Sequence, residues 1–392
     1  MLLTVQSPTI YSRWWNATGA AMNMFVLVWM TAGIITPALG AEPIHIAAIF
    51  SLTGSAAESH LPSVLGARWA VADINAGGGV LGRALALTEI DNRSTPVGSK
   101  VAADQAVAAD VTAIIGPAWS SQALAVARVA QRAGVPMIVN SATHPDVTRV
   151  GDSIFRVCYT DQLQGQVMAA FAFGDVKARR AVILQDMTSD YSLGLAASFE
   201  QTFGAMGGSV ITRIGYKPNQ PNFQDVLKRA KAFTPDIVFL PGHDESGGIV
   251  ADAARIGLQV PFLGGDGWDV ASFFEKGGNR LRTGYFATHY IRAIDTPASR
   301  AFVARHGAKH PSLSPAALSY DAVGILAKAI TRAGTTDRKA VRDALAATSG
   351  YVGVTGTISF DATGDPLKAV VIMAITDGRP SYLRMVNPGK KQ

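Results

Sequence analysis

Two short stretches carry paired hydroxyls where an anion could be held. In "IIGPAWSSQALA", Ser120 and Ser121 follow an apolar run and open a helical pattern. In "VPMIVNSATHPDVT", Ser141, Ala142 and Thr143 come directly after another apolar run. A helix start presents N–H groups without intrahelical partners and the positive end of the helix dipole, so hydroxyls there suit a carboxylate as well as they cap the helix. The opposite charge stands later in the chain. "FLGGDGWD" sets Asp266 among glycines at the end of an apolar run, with Trp268 two residues on, and "TSDYSLG" places Asp190 and Tyr191 after another. An acidic group facing an anion site across a cleft is the layout an α-amino acid requires, because its carboxylate and ammonium need opposite partners. Each residue also has a plain structural use: the serines as helix caps, Asp266 as a cap of a turn or helix.

Other chemistries find less support. Gly77, Gly79 and Gly82 in "DINAGGGVLG" have the G-x-G-x-x-G spacing of a dinucleotide loop. That spacing holds a pyrophosphate only when a strand precedes it and a helix follows. Here a helical pattern precedes and a strand pattern follows, so the glycines are expected to end a helix and turn the chain. No H-E-x-x-H, G-K-[ST] or G-x-S-x-G motif occurs and the seven histidines are scattered, so neither a catalytic residue nor a metal or other cofactor is expected. His243, in "PGHDESGG" at a strand end, is the one histidine with a candidate polar role in a site. Asp91, after a strand in "EIDNRSTP", reads as a turn cap. The single cysteine, Cys158, lies in the apolar run "IFRVCYT" and reads as a core residue.

The elements that must position these residues alternate regularly. Strand patterns at "IHIAAIF", "RALALTEID", "VTAIIGP" and "VPMIVN" are interleaved with helical patterns at "SVLGARWAVADINA", "KVAADQAVAAD" and "SQALAVARVAQRAG". After residue 160 the alternation restarts with strands at "AVILQDM", "SVITRIGYK", "DIVFLPG" and "PFLGGD". Helical patterns at "PASRAFVARHG", "PAALSYDAVGILAKAITRAG" and "RKAVRDALAAT" then precede two more strand-like runs. Successive βα units imply mostly parallel sheets covered on both faces, and the ligand-binding position in such sheets is beyond the carboxyl ends of the strands. The expected class is α/β, with two Rossmann-like lobes joined by short crossing segments that suit a hinge. The lobes are expected to span 43–160 with 288–352, and 161–287 with 353–385.

With 392 residues and 48% hydrophobic content, the chain is long enough for two domains. Its net charge of +6 is spread along the chain, without a basic run carrying interleaved aromatics, so nucleic acid is not an expected partner. Between Arg13 and Glu42 no residue is charged, and "MFVLVWMTAGIITPALGA" ends in small residues. This reads as a secretory signal over 1–41, with an uncleaved anchor as the alternative.

Several motifs together resemble the periplasmic solute-binding proteins of ABC transporters, in the branch that binds leucine, isoleucine and valine. They are "IAAIFSLTGSAA", "GARWAVADINAGGGVLGRAL", "IIGPAWSSQA", "NSATHPDVT", "FRVCYTDQLQGQVMA", "FLGGDGWD" and "TGTISFDATGD", and the likeness runs from about Ile44 to Asp377. The resemblance implies the type I periplasmic binding protein fold, with the ligand in the cleft between lobes. By position, Ser120 corresponds to the serine that meets the ligand carboxylate, with Ser121 beside it. Ser141 corresponds to a neighbour offering main-chain groups, with Ala142 next to it. Thr143 corresponds to a threonine touching both carboxylate and ammonium. Tyr191 corresponds to a tyrosine of the second lobe, and Asp266 to the acidic partner of the ammonium.

The departures concern the cleft wall. The leucine-type members carry glutamate where Asp266 stands. One enclosing aromatic corresponds to Gly242, beside His243, and another falls near Ser59 and His60. Ser94 and Trp119 occupy the places of a disulfide found in some members. Trp119 and Trp268 are candidates either for the side-chain pocket or for ordinary packing. The resulting expectation is a monomeric, exported binding component of an ABC importer. It would take an amino acid of branched-chain type or a related small carboxylate and deliver it to a permease. A receptor or regulator of the same fold, binding an amide or urea-like molecule, is the alternative.

Overall fold

The structure is a computed structural model that describes residues 41–307 and 313–388. Residues 1–40 of the expected signal segment lie outside the described residues. The first sheet is built from β1 (Ile44–Phe50), α1 (Ala57–Ala76), β2 (Leu85–Asp91), α2 (Pro96–Ala108), β3 (Ala113–Ile115), α3 (Ser120–Ala133), β4 (Met137–Val139), α4 (Asp146–Arg149) and β5 (Ile154–Arg156). Its five strands are parallel in the order β2-β1-β3-β4-β5. β1 is buried at every position except His45, the pattern of a strand covered on both faces.

The second set follows: α5 (Asp161–Gly174), β6 (Arg180–Asp186), α6 (Asp190–Ala205), β7 (Ser209–Tyr216), α7 (Gln224–Ala232), β8 (Ile237–Phe239), α8 (Ser246–Arg255), β9 (Phe262–Gly264), α9 (Ala271–Glu275) and β10 (Thr283–Thr288). The chain then forms α10 (Pro297–His306), α11 (Ser314–Ala333), α12 (Arg338–Ala346), the hairpin β11 (Tyr351–Gly353) and β12 (Gly356–Ile358), and finally β13 (Val370–Thr376) and β14 (Arg379–Val386). The second sheet runs β14-β13-β10-β9-β8-β6-β7, parallel from β7 to β10 and antiparallel through β13 and β14.

Helix α11 packs on α1 and contributes Leu318, Val323, Leu326 and Ile330 to a core with Ile46 and Ile115, so the first lobe recovers a segment far along the chain. The expected return to the second lobe at residue 353 differs from the structure. Ile358 is buried in that same first-lobe core, and the second sheet resumes only at Val370.

Six elements went unread in the sequence: α4, α5, α9, β10, β11 and the exposed edge strand β14. Helix α1 begins at Ala57, ahead of the expected start at Ser63, which puts Ser59, His60 and Ser63 on neighbouring positions of one helical face. The glycine turn after α1 is as expected in kind but shifted by a residue. Gly77 keeps a negative φ, whereas Gly78, Gly79 and Gly82 have φ of +99°, +77° and +72°. A side chain at Gly79 would lie 2.1 Å from the Arg83 carbonyl oxygen, so that turn also requires close backbone approach.

Candidate functional site

The carboxyl ends of β3, β4, β8, β9 and β10 converge with one face of α1 and the start of α11 around a cavity of about 50 Å³. Ser120, Ser141, Thr143, Tyr191 and Asp266 all line it, as do Ser59, Trp119 and His243. Residues from both lobes therefore share one small enclosed space.

The first-lobe wall carries the hydroxyls. Ser120 is the first residue of α3 and is buried, with its Oγ accepting a hydrogen bond from the His144 amide at 3.2 Å. Thr143 is buried, and its carbonyl accepts from the amide of Asp161 at the head of α5. The loop holding these groups is fixed from beneath by Arg156. That fully buried guanidinium donates to the carbonyls of Ala142 and His144 at 3.0 Å, to Thr148 Oγ1 at 3.0 Å and to Asp365 Oδ1 at 2.5 Å. Ala142 thus presents its carbonyl to Arg156 and to the Cys158 thiol rather than to the cavity. Cys158 is fully buried, and burial pushes its thiol up to about 12.

The second-lobe wall carries the charge. Asp266 opens a short 3-10 turn after β9. Gln164 clamps it twice, accepting from its amide at 2.8 Å and donating to Oδ1 at 3.0 Å. His289, just past β10, sets Nε2 3.0 Å from Oδ2. Burial alone would raise the Asp266 carboxyl, but the bonds from His289 and Gln164 outweigh it and hold the group below the ordinary carboxylate value. Burial also lowers His289, which is therefore neutral, with its proton on Nε2 toward Asp266. Its Nδ1 is left as a buried acceptor without a partner. Tyr191 lies beneath, its hydroxyl accepting from the Gly267 amide at 3.3 Å.

Asp161 adds a second buried carboxyl. Its nearest hydroxyl is that of Thr143, and burial raises the group well above its ordinary value, the Thr143 hydroxyl opposing the shift and Asp266 adding to it.

Contacts across the cleft bring the lobes together. The Asp190 amide at the head of α6 donates to Ser121 Oγ at 3.0 Å, so Ser121 joins the lobes and does not line the cavity. Ser59 and Ser272 hydroxyls lie 3.3 Å apart, and the rings of Trp119 and His243 stand 4.1 Å apart. A side chain at Gly242 would run into Tyr216, Ser246 and Glu245, so His243 supplies the ring at this part of the wall. Trp268 lies in the core. It is fully buried, stacked on Phe273 at 4.7 Å, and absent from the cavity lining, which corrects the pocket option for that residue.

Gln164, His289 and Asp161 were missed in the sequence. For Asp161 and Gln164 a signal existed: Thr160 caps α5, its Oγ1 accepting from the Leu163 amide, ahead of a helical repeat. His289 follows a strand whose pattern is too short to read alone. Among the described residues no group of His, Cys, Asp and Glu side chains could hold a metal ion.

A family model described as periplasmic binding protein matches residues 43–379. The chain is 29% identical over 340 residues to the Leu/Ile/Val-binding protein BraC3 of Rhizobium johnstonii, covering 86% of this chain and 92% of that protein. It is 29% identical over 338 residues to the leucine-, isoleucine-, valine-, threonine- and alanine-binding protein of Pseudomonas aeruginosa, covering 85% and 90%. Among solved structures, the leucine-binding protein LivK of Thermotoga maritima superposes with a TM-score of 0.84 at 32% identity, over 88% of this chain and 99% of that one. The branched-chain amino acid substrate-binding protein LivJ of Streptococcus pneumoniae, solved with isoleucine, gives 0.82 at 29% identity, over 88% and 100%.

Proposed function

This chain belongs to the periplasmic binding protein family and has its type I fold, and on that premise we propose that it is the extracytoplasmic binding component of an ABC importer. Its ligand is an α-amino acid or related small carboxylate, held by closure of the two lobes and released to a membrane permease without chemical change. It acts in the periplasm as a monomer, and closure is a hinge motion at the segments joining the lobes.

One observation carries the amino-acid reading: groups of opposite preference face each other across one cavity. The α3 start, with the hydroxyls of Ser120 and Thr143, favours a carboxylate. Ionised Asp266 and the free Nδ1 of His289 favour a hydrogen-bond-donating cation. A buried polar atom left without a partner costs about 1–3 kcal/mol, so an ammonium that satisfies several of them gains what the empty site forgoes. The named ligands of the relatives make leucine, isoleucine and valine the reference compounds.

Calorimetry on the mature protein tests this. Amino acids are compared with their des-amino analogues, leucine against 4-methylpentanoate, in wild type and Asp266→Ala. An amino acid should bind, and Asp266→Ala should weaken it more than its analogue. Equal losses would remove Asp266 as the ammonium partner. Binding only of ligands without an amine, or of amides and ureas, would remove the amino-acid assignment. Recovery of the protein in the cytoplasm with its N-terminus intact would remove the importer role.

A further inference from the structure

One stretch of the cavity wall is built around a hydrogen-bond donor that the protein itself does not use. His60, on α1, is 1% exposed and lines the cavity. The Ser51 amide donates to its Nδ1 at 3.0 Å, so the ring proton sits on Nε2, and Nε2 is buried without a partner. The ring stands perpendicular to Trp119 with centroids 5.3 Å apart, and Trp119 in turn meets His243 at 4.1 Å. Burial lowers His60 to about 3 and lowers His243 as well, so neither ring is charged at neutral pH.

A fixed neutral donor discriminates by the cost of leaving it unpaired. An aliphatic side chain against His60 covers Nε2–H and offers nothing in return, whereas an oxygen at that place restores the bond lost to water. The sign of the ligand group is constrained too. Asp244 acts on both His60 and His243, and Asp186 acts on His243. Lys276 pairs with Asp244, which leaves Asp186 and Asp266 as the further carboxylates acting on His243. A side-chain carboxylate would meet like charge there, and a neutral oxygen would not.

We propose, building on the amino-acid reading of the same cavity, that its side-chain subsite selects a small neutral side chain bearing an acceptor oxygen, hydroxyl or amide, over an aliphatic one of the same shape. His60 Nε2–H is the specificity-determining donor. The ligand class is therefore threonine-like or asparagine-like.

Isosteric pairs provide the test, because shape and backbone groups stay constant. Calorimetry on the wild-type mature protein compares threonine with valine, asparagine with leucine, and asparagine with aspartate. In at least one of the first two pairs the polar member should bind about tenfold or more tightly than its isostere, the size of one unpaired buried donor. Aspartate should bind more weakly than asparagine. His60→Phe should erase the polar preference, and His60→Gln, which keeps an N–H donor, should retain most of it. Valine and leucine binding as tightly as their polar isosteres would overturn the proposal and leave the amino-acid reading intact. A polar preference that survives His60→Phe would also overturn it, since the donor would then lie elsewhere. Failure of every amino acid to bind while des-amino carboxylates bind would remove both readings together.

Discussion

His289 Nε2 lies 3.0 Å from Asp266 Oδ2, and the same imidazole leaves Nδ1 buried without a partner. The histidine is neutral and the aspartate ionised, so one ring both sustains a buried charge and offers an acceptor beside it.

That pairing sets the pH response of binding. Asp266 sits below the ordinary carboxylate value, so its charge survives down to acid pH and is lost only as pH falls through the lowered value. Loss of the Asp266 charge should contribute nothing to affinity for an amine-bearing ligand between about pH 8 and about pH 5, well above the ordinary aspartate value, and any change near pH 7 belongs to Asp269, which lines the same cavity and is raised by burial to about 7. In His289→Leu the effect of burial on Asp266 is no longer offset by that bond, and the acid decline should begin at higher pH. Superimposable pH profiles for wild type and variant, measured by calorimetry, would show that His289 does not hold the Asp266 charge.

Ser121 accepts from the Asp190 amide of the opposite lobe and is not part of the cavity wall described above. Ser121→Ala should lower affinity for all ligands by a common factor of about 2–10, the worth of one hydrogen bond, because it weakens closure and not recognition. The ratio of any two affinities should be unchanged. A variant that alters the ratios would assign Ser121 to the ligand instead.

Arg156 ties the 142–148 loop to Asp365 with its guanidinium fully buried. Arg156→Met removes one member of a buried ion pair and should cost about 3–5 kcal/mol of stability in urea unfolding. A loss below about 1 kcal/mol would mean that the loop is held by its own turns.

His60 makes stability itself pH-dependent. Its folded value of about 3 lies below the unfolded value near 6.5, so between them the unfolded state binds the extra proton and stability falls as pH falls. Glu245 and Asp269, raised by burial to about 7, act in the opposite sense, losing stability as pH rises toward 7. The His60 share is therefore read as a difference: relative to wild type, His60→Gln should gain about 1.4 kcal/mol per pH unit on going from pH 6 to pH 4. A constant difference over that range would show that His60 is not buried as a neutral ring.

Much of this molecule is local and was legible in the residues. The apolar runs of β1, β4, β6 and β9 and the helix start at Ser120 follow from short-range periodicity and capping, so strand ends and a helix head could be located without a fold. That sufficed to choose Ser120, Ser141, Thr143, Tyr191 and Asp266, all of which line one cavity. What packing alone decided lies between distant segments. Gln164 and Asp266 are 102 positions apart, and neither residue announces the other. Trp268 turned into the core while Asp266, two residues earlier on the same 3-10 turn, faced the cavity. Side-chain direction on so short a turn is set by what fills the space around it, here Phe273 and Phe286. Spacing could bring a carboxylate to the end of a strand; only the closed fold could give it His289 as a partner and leave His60 with a donor unspent.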